Sequence, residues 1–287
     1  MNKIIFKILR FSGLPWLFRQ IIQNNKVTIL MFHEVSKETA EQTFSYLHKK
    51  YNLINLNDFI NAIVNNDKTK IPKKALIITF DDGLLQNYEM LPIIKKYKTP
   101  VTLFLCSSII NTNRHYWYKH QGLSKPLAYY KTLPNQKRLS ELAKDGFIQD
   151  KEYGKPHAMS KNQIIDMSQF VNMQAHTKFH PCLPMCGDDV AKEEIYGAKQ
   201  FLEKEYGFHI NAIAYPNGDY SERDISLTKE AGYQCAITVD GGYNTLNSDL
   251  FHLKRFSTND TADINELIVK SSGLWYFLKS LAGKKQN

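Results

Sequence analysis

Cysteine is scarce in this chain, and its cysteines do not form the close pairs typical of many metal-binding modules. Four are present among 287 residues, and none lies in a Cys-x-x-Cys pair. We therefore expect free thiols in a reducing compartment. Cys182 and Cys186 lie close to two histidines, and a structural zinc site there stays open as an alternative interpretation.

Long apolar runs are also missing. No uninterrupted apolar stretch in residues 1–24 reaches the roughly 18 residues that a membrane span needs. No small-residue cleavage site follows an apolar core there, so we expect no signal peptide and a cytoplasmic protein. The first residues are nevertheless apolar on one helical face, with basic residues elsewhere. This pattern fits either a helix lying on the inner face of an anionic membrane or a helix packed on the protein's own core.

The positive charge is not concentrated in one element. The net charge is +9, yet no block of basic residues interleaved with aromatic residues occurs, so we expect no nucleic-acid partner. The apolar fraction of 43% is ordinary for a globular protein. The length suits one large α/β domain or two small ones.

A short apolar run ending in two carboxylates is the most informative stretch. Residues 75–80 are typical of a strand buried on both faces, and Asp81, Asp82 and Gly83 follow it directly. Ligands and catalytic groups gather at the carboxyl ends of parallel strands. Because consecutive residues of a strand point to opposite sides, we expect Asp81 and Asp82 to have different tasks.

Two further strand-like runs end in residues with chemical potential. His176 and His180 follow the run at residues 170–175. Tyr215, Pro216, Asn217 and Gly218 follow a third run that starts near residue 211. Because Pro181 and Pro184 disfavour a helix there, we expect a loop to present the two histidines.

At these residues the chain resembles the polysaccharide deacetylase superfamily, which are metal-dependent carbohydrate esterases. The resemblance rests on Thr-Phe-Asp-Asp-Gly, on the spaced histidine pair and on the Tyr-Pro turn, and it covers about residues 27–256. It implies an α/β fold, a distorted (β/α)7-type barrel with circularly permuted motif order and an insertion at about 111–160. The alternation of seven or eight strands with helices favours the same architecture. We therefore predict a catalytic domain over 25–265 between amphipathic basic segments at 1–24 and 266–287.

The resemblance also implies roles for individual residues. It makes Asp82, His176 and His180 the ligands of a divalent metal and Asp81 the general base. His33 ends the strand-like run at 27–32 and would be the general acid. Zinc is the expected ion for this mixture of ligands, with cobalt, nickel, manganese or iron as alternatives. The turn at residues 215–218 would contact substrate and supply a backbone donor to the oxyanion.

Two positions depart from the family pattern. No arginine stands before the Tyr215 turn, where many relatives have one that orients the base, and we predict that Arg255 takes its place from a last strand at 251–256. Asn217 stands where the family often has tyrosine, so either the backbone of this residue suffices or substrate choice has shifted.

The sequence therefore predicts a metal-dependent hydrolase that removes the N-acetyl group from an amino sugar of a glycan or glycolipid. O-deacetylation and deformylation would use the same groups. The alternatives of another class are a catalytically silent carbohydrate-binding module and a membrane-surface module of the same fold. The aromatic residues of the insertion fit either stacking on sugars or a small cluster packed on the barrel.

Overall fold

The fold is a curled sheet whose strand pairings are parallel. The computed structural model describes residues 3–258, 260 and 263–283. The strands, in chain order, are β1 Val27–Phe32, β2 Asn52–Leu53, β3 Ala75–Phe80, β4 Val101–Leu105, β5 Val171–Ala175, β6 Ala212–Ala214, β7 Cys235–Ile237 and β8 Phe256–Ser257. They follow the order β7-β6-β5-β4-β3-β1-β8, and β2 pairs with the start of β3.

A single segment brings the two edges of this sheet together. The Leu253 N–H donates to the carbonyl of Ala236 at 3.1 Å, and the Leu253 carbonyl accepts from Thr238 at 2.9 Å. Three residues later, Phe256 and Ser257 pair with β1. Residues 253–257 therefore link β7 to β1, and the predicted barrel is confirmed.

The prediction of one strand over 251–256 was wrong for all but its last residue. Leu250–His252 forms a 3-10 turn, and the strand begins only at Phe256. The cause is the side chain of Asp249, which accepts the N–H of Phe251 at 2.8 Å and starts a turn.

Helices cover the outside of the barrel. The α-helices, in chain order, are α1 Lys3–Phe11, α2 Leu14–Leu17, α3 Lys37–Lys50, α4 Leu56–Val64, α5 Leu91–Tyr97, α6 Leu127–Lys131, α7 Asn135–Lys144, α8 Lys161–Ser168, α9 Asp188–Tyr206, α10 Glu222–Glu230, α11 Ile264–Ser271 and α12 Leu274–Leu281. Shorter helical turns occur at Phe18–Ile22 (a π turn), Lys68–Lys70, Leu85–Met90, Trp117–Lys119, Leu183–Met185 and Pro216–Gly218. In the described part of the chain, no helix combines the length and the apolarity that crossing a bilayer requires.

Side chains that alternate along β3 contribute to two apolar clusters and direct Asp81 into the barrel. Ala75 and Ile77 pack in one apolar cluster with α4, whereas Leu76, Ile78 and Phe80 pack in another with the outer helices. Ala75 and Ile77 face the barrel interior. Because side chains alternate along a strand, residues 79 and 81 face the interior too. The same strand that builds the core therefore directs Asp81 into the barrel.

The terminal helices pack against each other. Phe6 is 2% exposed, and its ring centroid lies 4.9 Å from that of Trp275 on α12. Lys284 and Lys285, which belong to the basic segment predicted at 266–287, lie outside the described residues.

Candidate active site

Asp82 lies in a strained turn directly after β3. Its φ is 76°, in the left-handed region, and that of Gly83 is 81°. Two contacts hold the turn: the Asp82 carbonyl accepts from the Cys106 N–H at 3.2 Å and from the Tyr116 hydroxyl at 2.6 Å. Non-glycine residues in this region cost about 1–3 kcal/mol and cluster at functional sites. The turn brings the Asp82 carboxylate to the same cavity as that of Asp81, and both lie within 4.0 Å of His176 Nε2.

A loop, as predicted, presents the two histidines. His176 follows β5, and the loop bends at Thr177 (φ 63°) and His180 (φ 56°). The buried carboxylate of Glu194 on α9 accepts the N–H groups of Lys178 at 2.8 Å and Phe179 at 2.9 Å. Glu194 was not among the predicted site residues, yet it fixes the loop between the histidines.

Asp82, His176 and His180 converge on one point. Asp82 Oδ1 lies 3.4 Å from His176 Nε2 and 3.5 Å from His180 Nε2. All three side chains are buried, and Asp82 Oδ1 has no hydrogen-bond partner among the described residues. An unpaired buried carboxylate oxygen is costly, so this arrangement fits a divalent cation.

Both imidazoles turn Nε2 toward Asp82. His176 Nδ1 lies 2.8 Å from the carbonyl of Ala214, a contact that places the proton on Nδ1 and leaves Nε2 free. Burial lowers the pKa of His180 to about 3, so this ring is uncharged at neutral pH. Within the described chain, the group of side chains close enough to hold one ion consists of Asp82 and the two histidines. It includes neither Cys182 nor Cys186, so the alternative zinc site finds no support.

Asp81 forms a separate buried ion pair. Arg255 Nη1 donates to Asp81 Oδ1 at 2.8 Å, and Arg255 Nε donates to the carbonyl of Thr238 at 2.8 Å. Burial by itself raises the pKa of Asp81, but the charges of Arg255 and then His176 outweigh it and lower this pKa to about 2. The structure thus brings Arg255 beside Asp81, and Asp81 is ionised at neutral pH.

The turn after β6 offers one unoccupied backbone donor. The Gly218 N–H donates to the Tyr215 carbonyl at 2.9 Å, the Asp219 N–H donates to Pro216 at 3.1 Å, and proline has no N–H. Among the described residues, this leaves the Asn217 N–H as the turn's amide without an acceptor. Asn217 itself has φ 59°, a conformation that asparagine tolerates well.

These groups line one cavity of about 310 Å³. His33 lies on its wall, half-buried, with its backbone N–H donated to Asp260 Oδ1 at 2.8 Å and its Nδ1 3.9 Å from Asp260 Oδ2. Leu127 and Lys131 on α6 also line the cavity. Eight of the ten residues predicted for the site line this cavity, together with residues of the insertion. Pro216 and Arg255 do not line it, and Arg255 acts on it through its contact with Asp81.

The insertion packs as a satellite cluster and reaches the site through one edge. Trp117 packs with Tyr130, Leu142 and Phe147. Its indole N–H donates to the His180 carbonyl at 2.8 Å, and the neighbouring Tyr118 hydroxyl donates to Asp82 Oδ2 at 2.6 Å. The contact of Tyr118 with the site was missed, because nothing in its local sequence distinguishes it from the other tyrosines of the insertion.

We expect Tyr118→Phe to weaken metal binding about 10- to 100-fold, because partners that orient a ligand carboxylate typically contribute this much. The fold should be unaffected, since only one hydroxyl is removed. The measurement is competition for zinc against a chelating dye. Tyr129→Phe, on the partly exposed α6, is the matched control and should bind zinc like the wild type. Equal affinities of the two variants would contradict the role of Tyr118.

Gly218→Ala should destabilise the turn. At Gly218 φ is +73°, and an added Cβ would lie 2.0 Å from Val239 Cγ2. Overpacking of this kind typically lowers the free energy of unfolding by about 1–3 kcal/mol. Thermal unfolding tests this, with Gly187→Ala as control because a Cβ there meets nothing within 4 Å. Unchanged unfolding of Gly218→Ala would show that Val239 moves away freely.

A parallel β/α barrel with an Asp-His-His cluster and a second, ion-paired carboxylate defines the chain as a barrel hydrolase. The family can be stated more closely. The sequence profile of the polysaccharide deacetylases matches residues 68–236, which is more than half of the chain. The protein belongs to the polysaccharide deacetylase family.

Individual relatives are distant. YxkH of Bacillus subtilis, named as a polysaccharide deacetylase, is 22% identical over 80% of this chain and 70% of its own length. The poly-beta-1,6-N-acetyl-D-glucosamine N-deacetylase of Staphylococcus epidermidis is 26% identical over 73% of this chain and 62% of its own. The chain thus spans less than two thirds of the second relative. The Streptococcus pyogenes deacetylase PplD in complex with acetate has a TM-score of 0.64 at 20% identity, covering 86% of this chain and 99% of that one, which shows a shared fold.

Proposed function

We propose that this protein hydrolyses the N-acetyl group of an amino sugar in a glycan, with a divalent cation held by Asp82, His176 and His180. The observation that carries the proposal is the buried, unpartnered Asp82 Oδ1 facing two imidazole nitrogens, next to the separate Asp81–Arg255 pair. Two carboxylates in two environments correspond to two tasks.

A divalent ion at these ligands would polarise the amide carbonyl and acidify a water molecule. Zinc suits two imidazoles and one carboxylate, and it is the ion we propose. Tyr118 holds the second oxygen of Asp82, which leaves Oδ1 to face the histidines.

Asp81 is the proposed general base. Arg255 occupies Asp81 Oδ1, and Oδ2 lies 4.0 Å from His176 Nε2, on the side of the ligand cluster. Asp81 can therefore accept the proton of the attacking water while Arg255 keeps the carboxylate oriented.

The Asn217 N–H and His33 complete the proposed reaction. The free Asn217 amide would donate to the oxygen that becomes negative as water adds to the carbonyl. When the carbon–nitrogen bond breaks, the sugar nitrogen needs a proton, which His33 would supply from the cavity wall. The products are acetate and a free amine.

The substrate class follows from the site and the relatives together. The site fits hydrolysis of a small acyl group, and the Staphylococcus epidermidis relative is named for poly-beta-1,6-N-acetyl-D-glucosamine. We therefore propose an N-acetylglucosamine polymer, oligomer or lipid-linked saccharide as substrate.

Acetate release from β-1,6-linked N-acetylglucosamine oligomers tests the proposal. The protein is stripped of metal, reloaded separately with zinc, cobalt, nickel, manganese or iron(II), and compared with Asp81→Asn under the same loading. We expect release with at least one ion in the wild type and almost none in the variant. If the wild type binds the oligomer but releases no acetate with any ion, a silent carbohydrate-binding module replaces the hydrolase.

A further inference from the structure

The N-terminal helix α1 is apolar on two opposite sides. Its inner side packs against α11 and α12 through the buried Phe6. Its outer side carries Ile8, 64% exposed, and Phe11, 69% exposed. The helix also carries Lys3, Lys7 and Arg10, so the large apolar side chains exposed on its outer side stand beside positive charge and call for a partner.

The exposed apolar surface continues beyond α1. Trp16 is 58% exposed on α2, and Ile21 is 67% exposed on the following π turn, with Leu17 one turn before it. We refer to Ile8, Phe11, Trp16, Leu17 and Ile21 as the α1–α2 face. Contiguous patches of this kind are uncommon on soluble monomers and usually mark an interaction site.

A basic groove borders this face. It has a volume of about 660 Å³ and lies between α1, α2 and α3, with Phe11 and Trp16 on its wall. Its cationic lining residues are Arg10, Arg19, Lys49 and Lys50. None of the described residues that line it is acidic.

We propose that the α1–α2 face and its groove bind the surface of an anionic phospholipid bilayer. The apolar side chains would enter the interface between headgroups and acyl chains, and Arg10, Lys49 and Lys50 would contact lipid phosphates. Arg19 is 6% exposed and donates to the Tyr46 hydroxyl at 2.9 Å, so it supports the groove from below. A bilayer offers an apolar acyl-chain region beneath a layer of anionic headgroups. The exposed apolar side chains complement the first, and the cations beside them complement the second. A soluble anion would explain the groove but not the apolar face, and an apolar protein partner would explain the face but not the groove.

The test uses the full chain and point substitutions. Deleting residues 1–24 would be uninformative, because Phe6 and Gln23 in that segment are buried. Ile8→Asp with Phe11→Asp alters the face, and Lys49→Glu with Lys50→Glu alters the groove. Matched controls on α9 are Phe201→Asp and Lys192→Glu with Lys204→Glu, all at exposed positions.

Sedimentation with vesicles of phosphatidylglycerol and phosphatidylcholine, or of phosphatidylcholine alone, measures binding. We expect the wild type to bind the anionic vesicles at least tenfold more tightly, and each paired variant to lose at least tenfold while the α9 controls do not. Binding should weaken with salt, and Trp16→Phe should remove the blue shift in tryptophan fluorescence on binding. Acetate release from soluble oligomers should be unchanged, because none of these residues lines the catalytic cavity.

Three results would overturn the proposal. Absence of binding, or equal binding to both vesicle types, removes the anionic bilayer as partner. If the wild type self-associates without lipid, and the Ile8→Asp with Phe11→Asp variant does not, then the face is a contact between two copies of the chain. Binding of inorganic phosphate without binding of vesicles makes the groove a site for a soluble anion. If the aspartate pair does not fold, the exposed lysine pair alone decides between binding and no binding.

Discussion

His176→Ala is expected to remove the bound cation and to lower acetate release on the order of a thousandfold. A bound metal stabilises developing charge by several kcal/mol, and about 4 kcal/mol corresponds to three powers of ten in rate. His176 is irreplaceable in this role because its ring is fixed from behind by the Ala214 carbonyl and lies 3.4 Å from the unpartnered oxygen of Asp82. The nearby Asp81 Oδ2 lies 4.0 Å from His176 Nε2, but the carboxylate of Asp81 is held by Arg255 through its other oxygen.

Elemental analysis of gently purified protein measures this loss. About one divalent ion per chain is expected in the wild type and almost none in His176→Ala. His209→Ala, an exposed histidine on another loop, should keep both metal and activity. Treatment of the wild type with a chelator should reproduce the loss, and adding the ion back should reverse it. If His176→Ala keeps a full complement of metal and its activity, the assigned ligand set is wrong.

Most of the site could be predicted from sequence because its residues follow strands. Short apolar runs placed Asp81, His176 and Tyr215 at the ends of β3, β5 and β6, and parallel pairing brings those ends to one edge. These patterns are local, so they can be recognised in the sequence without knowledge of long-range contacts. Alternation along β3 did not anticipate that the left-handed φ of Asp82 turns its carboxylate to the same cavity as that of Asp81.

The remaining features depend on contacts between distant segments. Tyr118 and Lys131 reach the cavity from the insertion, where no hydrophobic periodicity fixes the path of the chain. Glu194 acts through backbone groups on another element, which leaves no mark in its own sequence. The 3-10 turn before β8 depends on the hydrogen bond that the Phe251 N–H donates to the Asp249 side chain, and this contact outweighs the strand propensity of the segment.

Arg255→Ala is expected to lower the free energy of unfolding by about 3–5 kcal/mol and acetate release by about 100- to 1000-fold. The substitution leaves the Asp81 carboxylate buried without its counter-charge, and breaking a buried ion pair on one side has this cost. The rate falls because the base loses the contact that orients it toward the attacking water.

A double substitution separates these two effects. Asp81→Asn combined with Arg255→Met removes both buried charges, so unfolding in urea should return to within about 1 kcal/mol of the wild type. Activity should stay at the level of Asp81→Asn, because the base is gone. Arg255→Lys keeps the charge but cannot donate to both Asp81 and the Thr238 carbonyl from a planar fork, so we expect an intermediate rate.

Lys144→Ala provides the comparison for an exposed pair. Lys144 Nζ lies 2.6 Å from Glu141 Oε1 at the surface of α7, and its loss should change stability by less than about 1 kcal/mol. If Arg255→Ala is as stable and as active as Lys144→Ala, then Arg255 does not take the place of the arginine that is missing before the Tyr215 turn. The other outcome is that the Asp81→Asn, Arg255→Met variant regains stability but not activity. Two uncharged side chains would then stabilise the fold as well as the ion pair does. The role of the buried pair would be to orient Asp81.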